Sequence, residues 1–243
     1  MPSAPFSSRF FSILTAACLH VPVALTAFSL PTLPSLAIPK EEAVFKLNTV
    51  LVHVIAKSED EFFLLQKDDT LIVPAYLSLE MATERLEESK KLDPELTAFI
   101  QPYPLSEFLA LSESLQASAE LQSQKLVFPI ISGVETTAKA LEILRADGLS
   151  DEDIEDNLRV PVFFLDPMVT VSAEGLPAKQ YFFFEYPYLE AALSRLPDSA
   201  DRPKIKVLNL DQVLQIIIDE DQDVFAFYPT AQYLRNNPDS PFN

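Results

Sequence analysis

Three glycines, Gly133, Gly148 and Gly175, serve a chain of 243 residues. Average usage is about 7%. A loop that cradles phosphates needs several glycines within a few positions, because only they let the backbone approach so closely. Neither G-x-G-x-x-G nor a P-loop can be written with three glycines so far apart, which excludes the enzymes built on those loops. Charge removes further classes. Lysine and arginine number 18 against 36 aspartates and glutamates, a formal charge of −18. Such a surface repels phosphate backbones and anionic lipid, so no nucleic-acid partner is expected. With 48% hydrophobic and 22% charged residues the chain reads as globular. Its length allows one domain or two small ones, at roughly 150 residues per domain.

Arg9 is the only charged residue before Lys40. Phe10 to Leu30 is apolar, and the stretch ends in LPTLPSLA, with Ser35 and Ala37 at small positions. A positive start, an apolar run and a small-x-small site predict a secretory signal peptide over 1–37, cleaved after Ala37. Retention as a membrane anchor is a rival reading, against which His20 and Pro22 interrupt the run. A transit peptide would carry more arginine. Cleavage removes Cys18 and His20, leaving His53 as the one histidine and no cysteine for a disulfide. Export points to a bacterial periplasm, a thylakoid lumen or the cell exterior.

The remainder alternates strand and helix patterns, twice. Thr49–Ala56 and Thr70–Leu77 are β-branched and apolar, hence strands, and Glu61–Gln66 is a shorter one. Ser78 predicts the N-cap of a helix to about Lys91, with Leu79, Ala82 and Leu86 on one face. A strand at Leu96–Tyr103, a helix from Leu105, a strand at Lys125–Ile131 and a helix closed by Asp147-Gly148 follow. Ser150 and Asp153 form a capping-box pattern that opens an acidic connector helix, residues 149–158. The second half repeats the sequence of elements: strands at Val160–Leu165 and Gln180–Tyr186, the second after a turn at Gly175 and Pro177. A helix from Pro187, a strand at Ile205–Leu210, a helix capped by Asn209, a strand at Asp223–Tyr228 and a last short helix complete it. Val127-Phe128 answers Val224-Phe225, and Pro74–Leu77 answers Pro187-Tyr188-Leu189. The expectation is a mixed α/β fold of internally duplicated β-β-α-β-α-β-α halves, forming a pseudo-symmetric layered structure. Its halves are 38–148 and 159–237, with a tail at 238–243.

Catalytic groups are sparse. His53 lies in a strand with Leu51 and Ile55, opposite Val50, Val52 and Val54, and reads as a core histidine. Zinc needs three or four nitrogen or sulfur ligands, and no G-x-S-x-G supports a serine nucleophile. Asp219, Asp221 and Asp223 have the spacing that opens a calcium loop, but Val224 and Thr230 stand where glycine and glutamate belong, so they read as a charged turn. Paired-carboxylate hydrolysis is not excluded by counting, though no tryptophan is present to stack a sugar. No enzyme activity, cofactor or metal is expected. The clustered phenylalanines read either as a sheet covered on both faces or as an open apolar groove. In the second case Phe62, Phe63, Phe182 and Phe184 are the candidate polypeptide-binding surface.

Ile38–Ile55, Val160–Pro167, Tyr181–Leu193 and Ile205–Ile218 together resemble the 22-kDa component family of the chloroplast inner-envelope translocon, in particular its cyanobacterial, exported branch. The resemblance is one of order and apolar pattern, and it spans nearly the whole chain after residue 37. It implies a pseudo-symmetric pair of α/β halves with apolar pockets on its faces and no catalytic residues. It also implies help with protein translocation or outer-membrane protein biogenesis, with unfolded or precursor polypeptides and an Omp85-type barrel assembly or envelope translocon as partners. The periplasm, the thylakoid lumen or a plastid intermembrane space is the implied location, with peripheral membrane association. A periplasmic small-ligand or lipid carrier is the alternative reading.

Overall fold

The computed structural model describes residues 38–59, 61–117, 125–171, 177–196 and 202–242. The predicted signal peptide, its cleavage after Ala37, and the turn at Gly175 lie outside the described residues.

Helix α1 (Lys40–Phe45) leads through a 3₁₀ turn into β1 (Leu51–Ser58), followed by β2 (Glu61–Phe62), β3 (Leu65–Lys67), β4 (Thr70–Ile72) and β5 (Ala75–Tyr76). Helix α2 (Leu79–Leu92) begins where Ser78 Oγ accepts the Met81 N–H, the expected cap. Strand β6 (Phe99–Pro104), helix α3 (Leu105–Ala117), strands β7 (Lys125–Val127) and β8 (Ile130–Ile131), and helix α4 (Val134–Ala146) complete the first half. Ser150 caps the connector α5 (Asp151–Asn157) by accepting the Asp153 N–H, as its sequence predicts. The second half comprises β9 (Pro161–Asp166), β10 (Thr170–Val171), β11 (Lys179–Phe182), α6 (Tyr186–Ser194), β12 (Lys204–Asn209), α7 (Leu210–Asp219), β13 (Phe225–Phe227) and α8 (Ala231–Asn236). The fold is mixed α/β, as expected.

Three expected strands are divided, Glu61–Gln66 among them, which separates into β2 and β3. Thr70–Leu77 separates into β4 and β5 at Val73-Pro74, and its neighbour separates into β7 and β8 at Phe128-Pro129. Proline supplies no N–H to a ladder. Because Pro74 and Pro129 fall at the same level of two adjacent parallel strands, both break together, and each fragment keeps its own partner.

Both halves follow one pairing plan. In the first, β1 pairs antiparallel with β6 over six residue pairs, Leu51 with Pro104 through Ala56 with Phe99. In the second, β9 pairs antiparallel with β12 over six, Pro161 with Asn209 through Asp166 with Lys204. The Leu105 N–H donates to Val50 O at 2.8 Å, and the Leu210 N–H donates to Val160 O at 3.0 Å. The other edge of β1 takes β5 through His53 and Tyr76, where β9 takes Phe163 and Phe183. Parallel strands follow in each case, β8 on β5 and β13 on β11. These registers place Tyr76 opposite Phe183 as counterparts, so Pro74–Leu77 corresponds to Tyr181–Phe184 and not to the stretch around Pro187.

The main core lies where the two halves meet. Val50, Val52 and Val54 from one face of β1 join Val160 and Val162, Phe182 and Phe184, and Phe225 and Phe227 in one buried cluster. The opposite face of the second half is covered by α4 and α6 around Phe163, Phe183 and Leu189. The opposite face of the first half packs against α2 through Ile55, Tyr76, Ala82 and Leu86.

Candidate functional site

The aromatic run Phe182–Phe184 alternates as a strand must: Phe182 and Phe184 enter the main core and Phe183 the second cluster. Phe182 is 1% exposed and Phe184 3%. They therefore present no surface to a client, which corrects half of the sequence-based site. Phe62 is half-buried and meets Tyr103 edge-on at 5.9 Å, against the main core. Phe63 faces the other way, into an open recess.

That recess, about 360 Å³, lies on the outer face of the first half. Ile55 and Tyr76 form part of its wall, with Phe63, Leu65, Ile72 and Leu92. Leu92, at the end of α2, is 89% exposed. Arg85 and Glu88 of α2 also line it. Neither Leu65 nor Leu92 stood out in the sequence; Leu92 lies off the apolar stripe of α2, whose next positions after Leu86 are Ser89 and Lys90.

The matching face of the second half is filled. Tyr181 and Tyr228, counterparts of Pro74 and Ile131, meet edge-on, and Phe242 packs on both at 5.7 and 5.4 Å. Phe183 stacks on Tyr228 at 5.0 Å. The face that is a recess in one half holds a phenylalanine from the tail in the other.

A second and larger cavity, about 690 Å³, is lined by residues of both halves. Helices α2, α4, α6 and α8 all begin at its wall. His53 reaches it from β1, where it is 2% exposed, with Nδ1 3.2 Å from Tyr76 O. Burial lowers the imidazole pKa, the Tyr76 hydrogen bond opposes this, and the nearby Arg235 lowers it further. Glu185, the residue before α6, accepts the Ala231 N–H at 2.7 Å and so holds the start of α8. Burial raises its carboxyl pKa, against the Ala231 hydrogen bond and the Arg235 charge. An acid inside the run FFFEYPY is the sequence signal for this residue.

The charged turn at 219–223 serves the fold. Asp223 accepts from Lys46 and, at 2.7 Å, from Lys179, both mostly buried ammonium groups. Burial pushes its carboxyl pKa up, and the two lysine hydrogen bonds outweigh that and hold it below the ordinary value. Among the described residues no three histidine, cysteine or acidic side chains are grouped to hold a metal.

Two solved structures share the architecture. Tic22 from Plasmodium falciparum superposes with a TM-score of 0.63 at 20% identity, covering 79% of this chain and 94% of its own. Anabaena Tic22, a protein-transport protein, gives 0.66 at 16% identity, covering 84% of this chain and 98% of its own. The chain has the Tic22 fold. The resemblance read from the sequence thus holds at the level of fold. No family model matches the chain, and no curated protein does. Among the described residues no helix of this Tic22-like fold is long and apolar enough to cross a membrane.

Proposed function

We propose that the chain is a non-enzymatic, exported protein that assists protein transport by holding apolar segments of unfolded or precursor polypeptides. The carrying observation is the recess at Phe63, whose counterpart face in the second half holds Phe242. An extended polypeptide can offer an aromatic or aliphatic side chain to the open recess as the tail does to the filled face. The protein-transport role of Anabaena Tic22, which shares the fold, supports the same reading. Clients would pass to an Omp85-type barrel assembly or envelope translocon in the periplasm, the thylakoid lumen or an intermembrane space. The acidic surface keeps the carrier soluble and disfavours aggregation with its cargo.

The test is light scattering as an unfolded outer-membrane barrel protein is diluted into near-equimolar chain. Suppression of scattering is expected. It should weaken with Phe63→Ser plus Leu65→Ser while far-ultraviolet circular dichroism is unchanged. Phe182→Ser should instead lose the fold, since emptying a buried phenylalanine site costs about 3–5 kcal/mol. No suppression by the intact chain, or suppression indifferent to the Phe63 and Leu65 replacements, overturns the assignment. A small apolar molecule co-purifying at one per chain would favour a ligand or lipid carrier in its place.

A further inference from the structure

The cavity between the halves has a chemistry that the apolar recess lacks. A carbonyl oxygen only accepts hydrogen bonds, so the contact with Tyr76 O assigns the proton of His53 to Nδ1. Nε2 is then a bare lone pair, and it is buried without a partner. Ser132 Oγ, in the same wall and in a residue 8% exposed, is also buried and unpartnered. Buried acceptors are nearly always satisfied, because leaving one unpaired costs its lost hydration. Nε2 therefore calls for a donor brought by something else, and the Ser132 hydroxyl, which can accept as well as donate, can share it.

The surrounding charge says which donor. Among the described residues, Glu80, Glu84, Glu135 and Glu185 line the cavity against the guanidinium of Arg235, a formal balance of 1 − 4 = −3. An anion is disfavoured even though helices start here. Glu80 and Glu135 already sit in the first turns of α2 and α4, and Glu185 already holds the start of α8. Apolar side chains, among them Leu77, Tyr186 and Tyr188, complete the wall. A cation on an aliphatic stem matches all three features.

We propose that this cavity binds the ammonium or guanidinium group of a lysine or arginine on the client polypeptide, with His53 Nε2, Ser132 Oγ and the Glu185 carboxylate as acceptors. The inference rests on the polypeptide-holding reading given above, and adds that clients are chosen for a basic residue among apolar ones. The stem lies along the apolar wall while the charged head meets a desolvated carboxylate, where a charge-assisted hydrogen bond is strongest.

The chain has two histidines, His20 and His53. Histidine labelled with nitrogen-15 therefore gives few resonances, and His53→Gln assigns the Nε2 signal. The probe is a capped pentapeptide of leucine and valine around a central lysine, compared with the same peptide carrying norleucine. The lysine peptide should shift the His53 Nε2 resonance and bind about tenfold or more tightly than the norleucine peptide. Glu185→Gln, which retains an oxygen for the Ala231 N–H, should remove most of that preference. If His53→Gln does not fold, Ser132→Ala and Glu185→Gln carry the test. Equal affinity for the two peptides, or a His53 response to inorganic phosphate, overturns the proposal. Butylamine binding as tightly as the peptide overturns the polypeptide source. Loss of suppression with lysine preference intact would sink the holding function alone.

Discussion

His53 links the folded state to pH through a single ring. Its folded pKa is lowered, first by burial, against the Tyr76 hydrogen bond and with Arg235 adding to the lowering. The unfolded chain then binds a proton more readily than the folded one. Stability from this group is complete above the ordinary value of 6.5 and is lost as pH falls below it toward the depressed folded value. Glu185 acts with the opposite sign. Its pKa is raised chiefly by burial, so it adds stability as pH falls through the raised value. The thermal midpoint of the chain is expected to drop on going from about pH 7.5 to about pH 5.5, where histidine titrates and most carboxylates do not. His53→Gln, whose amide can still donate to Tyr76 O, should flatten that drop. An unchanged pH profile in the variant would show that His53 is not its source.

The helix ends show how much a local signal decides. Gly148 closes α4 with φ of 92°, its N–H donating to Arg145 O at 3.0 Å while Leu149 N–H donates to Leu144 O at 3.1 Å. A Cβ built there meets nothing within 4 Å, so any cost of Gly148→Ala is conformational, about 1 kcal/mol. Gly133, before α4, has φ of −60°, and a Cβ there makes only an ordinary 3.6 Å contact with Ser78. Urea unfolding should show a lowered midpoint with unchanged slope for Gly148→Ala, and a smaller effect for Gly133→Ala. Equal effects would refute the left-handed cap as the cause. Such ends were legible in the sequence: Ser78, Ser150 and Gly148 all act where the pattern puts them. Strand existence was legible too, since alternation is local. The joint break at Pro74 and Pro129 was not, because it depends on two distant strands being neighbours. The site was half legible for the same reason. Alternation separates Phe182 and Phe184 from Phe183, but Val52 and Val54, which share the buried cluster of Phe182, lie more than a hundred residues earlier.

At the scale of the whole molecule, the repeated pairing plan invites the idea of two separable halves, and the packing opposes it. The main cluster takes Val50, Val52, Val54 and Phe108 from the first half, and Val160, Phe182, Val213 and Phe227 from the second. Neither half owns the main core alone. Other contacts cross as well: α4 packs on β12 and β9, Thr230 Oγ1 accepts the Leu51 N–H at 3.2 Å, and Asp223 ties Lys46 to Lys179. Asn209 Oδ1 accepts the Arg159 N–H at 2.7 Å, holding the connector to the start of α7. The intact chain should therefore unfold in one cooperative transition, with near- and far-ultraviolet circular dichroism coincident in urea. A fragment ending at Gly148 should show neither a cooperative transition nor dispersed amide resonances, because separation exposes the valine face of β1 to water. Mixing it with a fragment from Leu149 onward should restore both signals. If the first fragment folded alone, the recess at Phe63 could work without the second half. If it does not, cavity, recess and tail-filled face form one cooperative unit, and a client bound at the cavity or the recess stabilises all three.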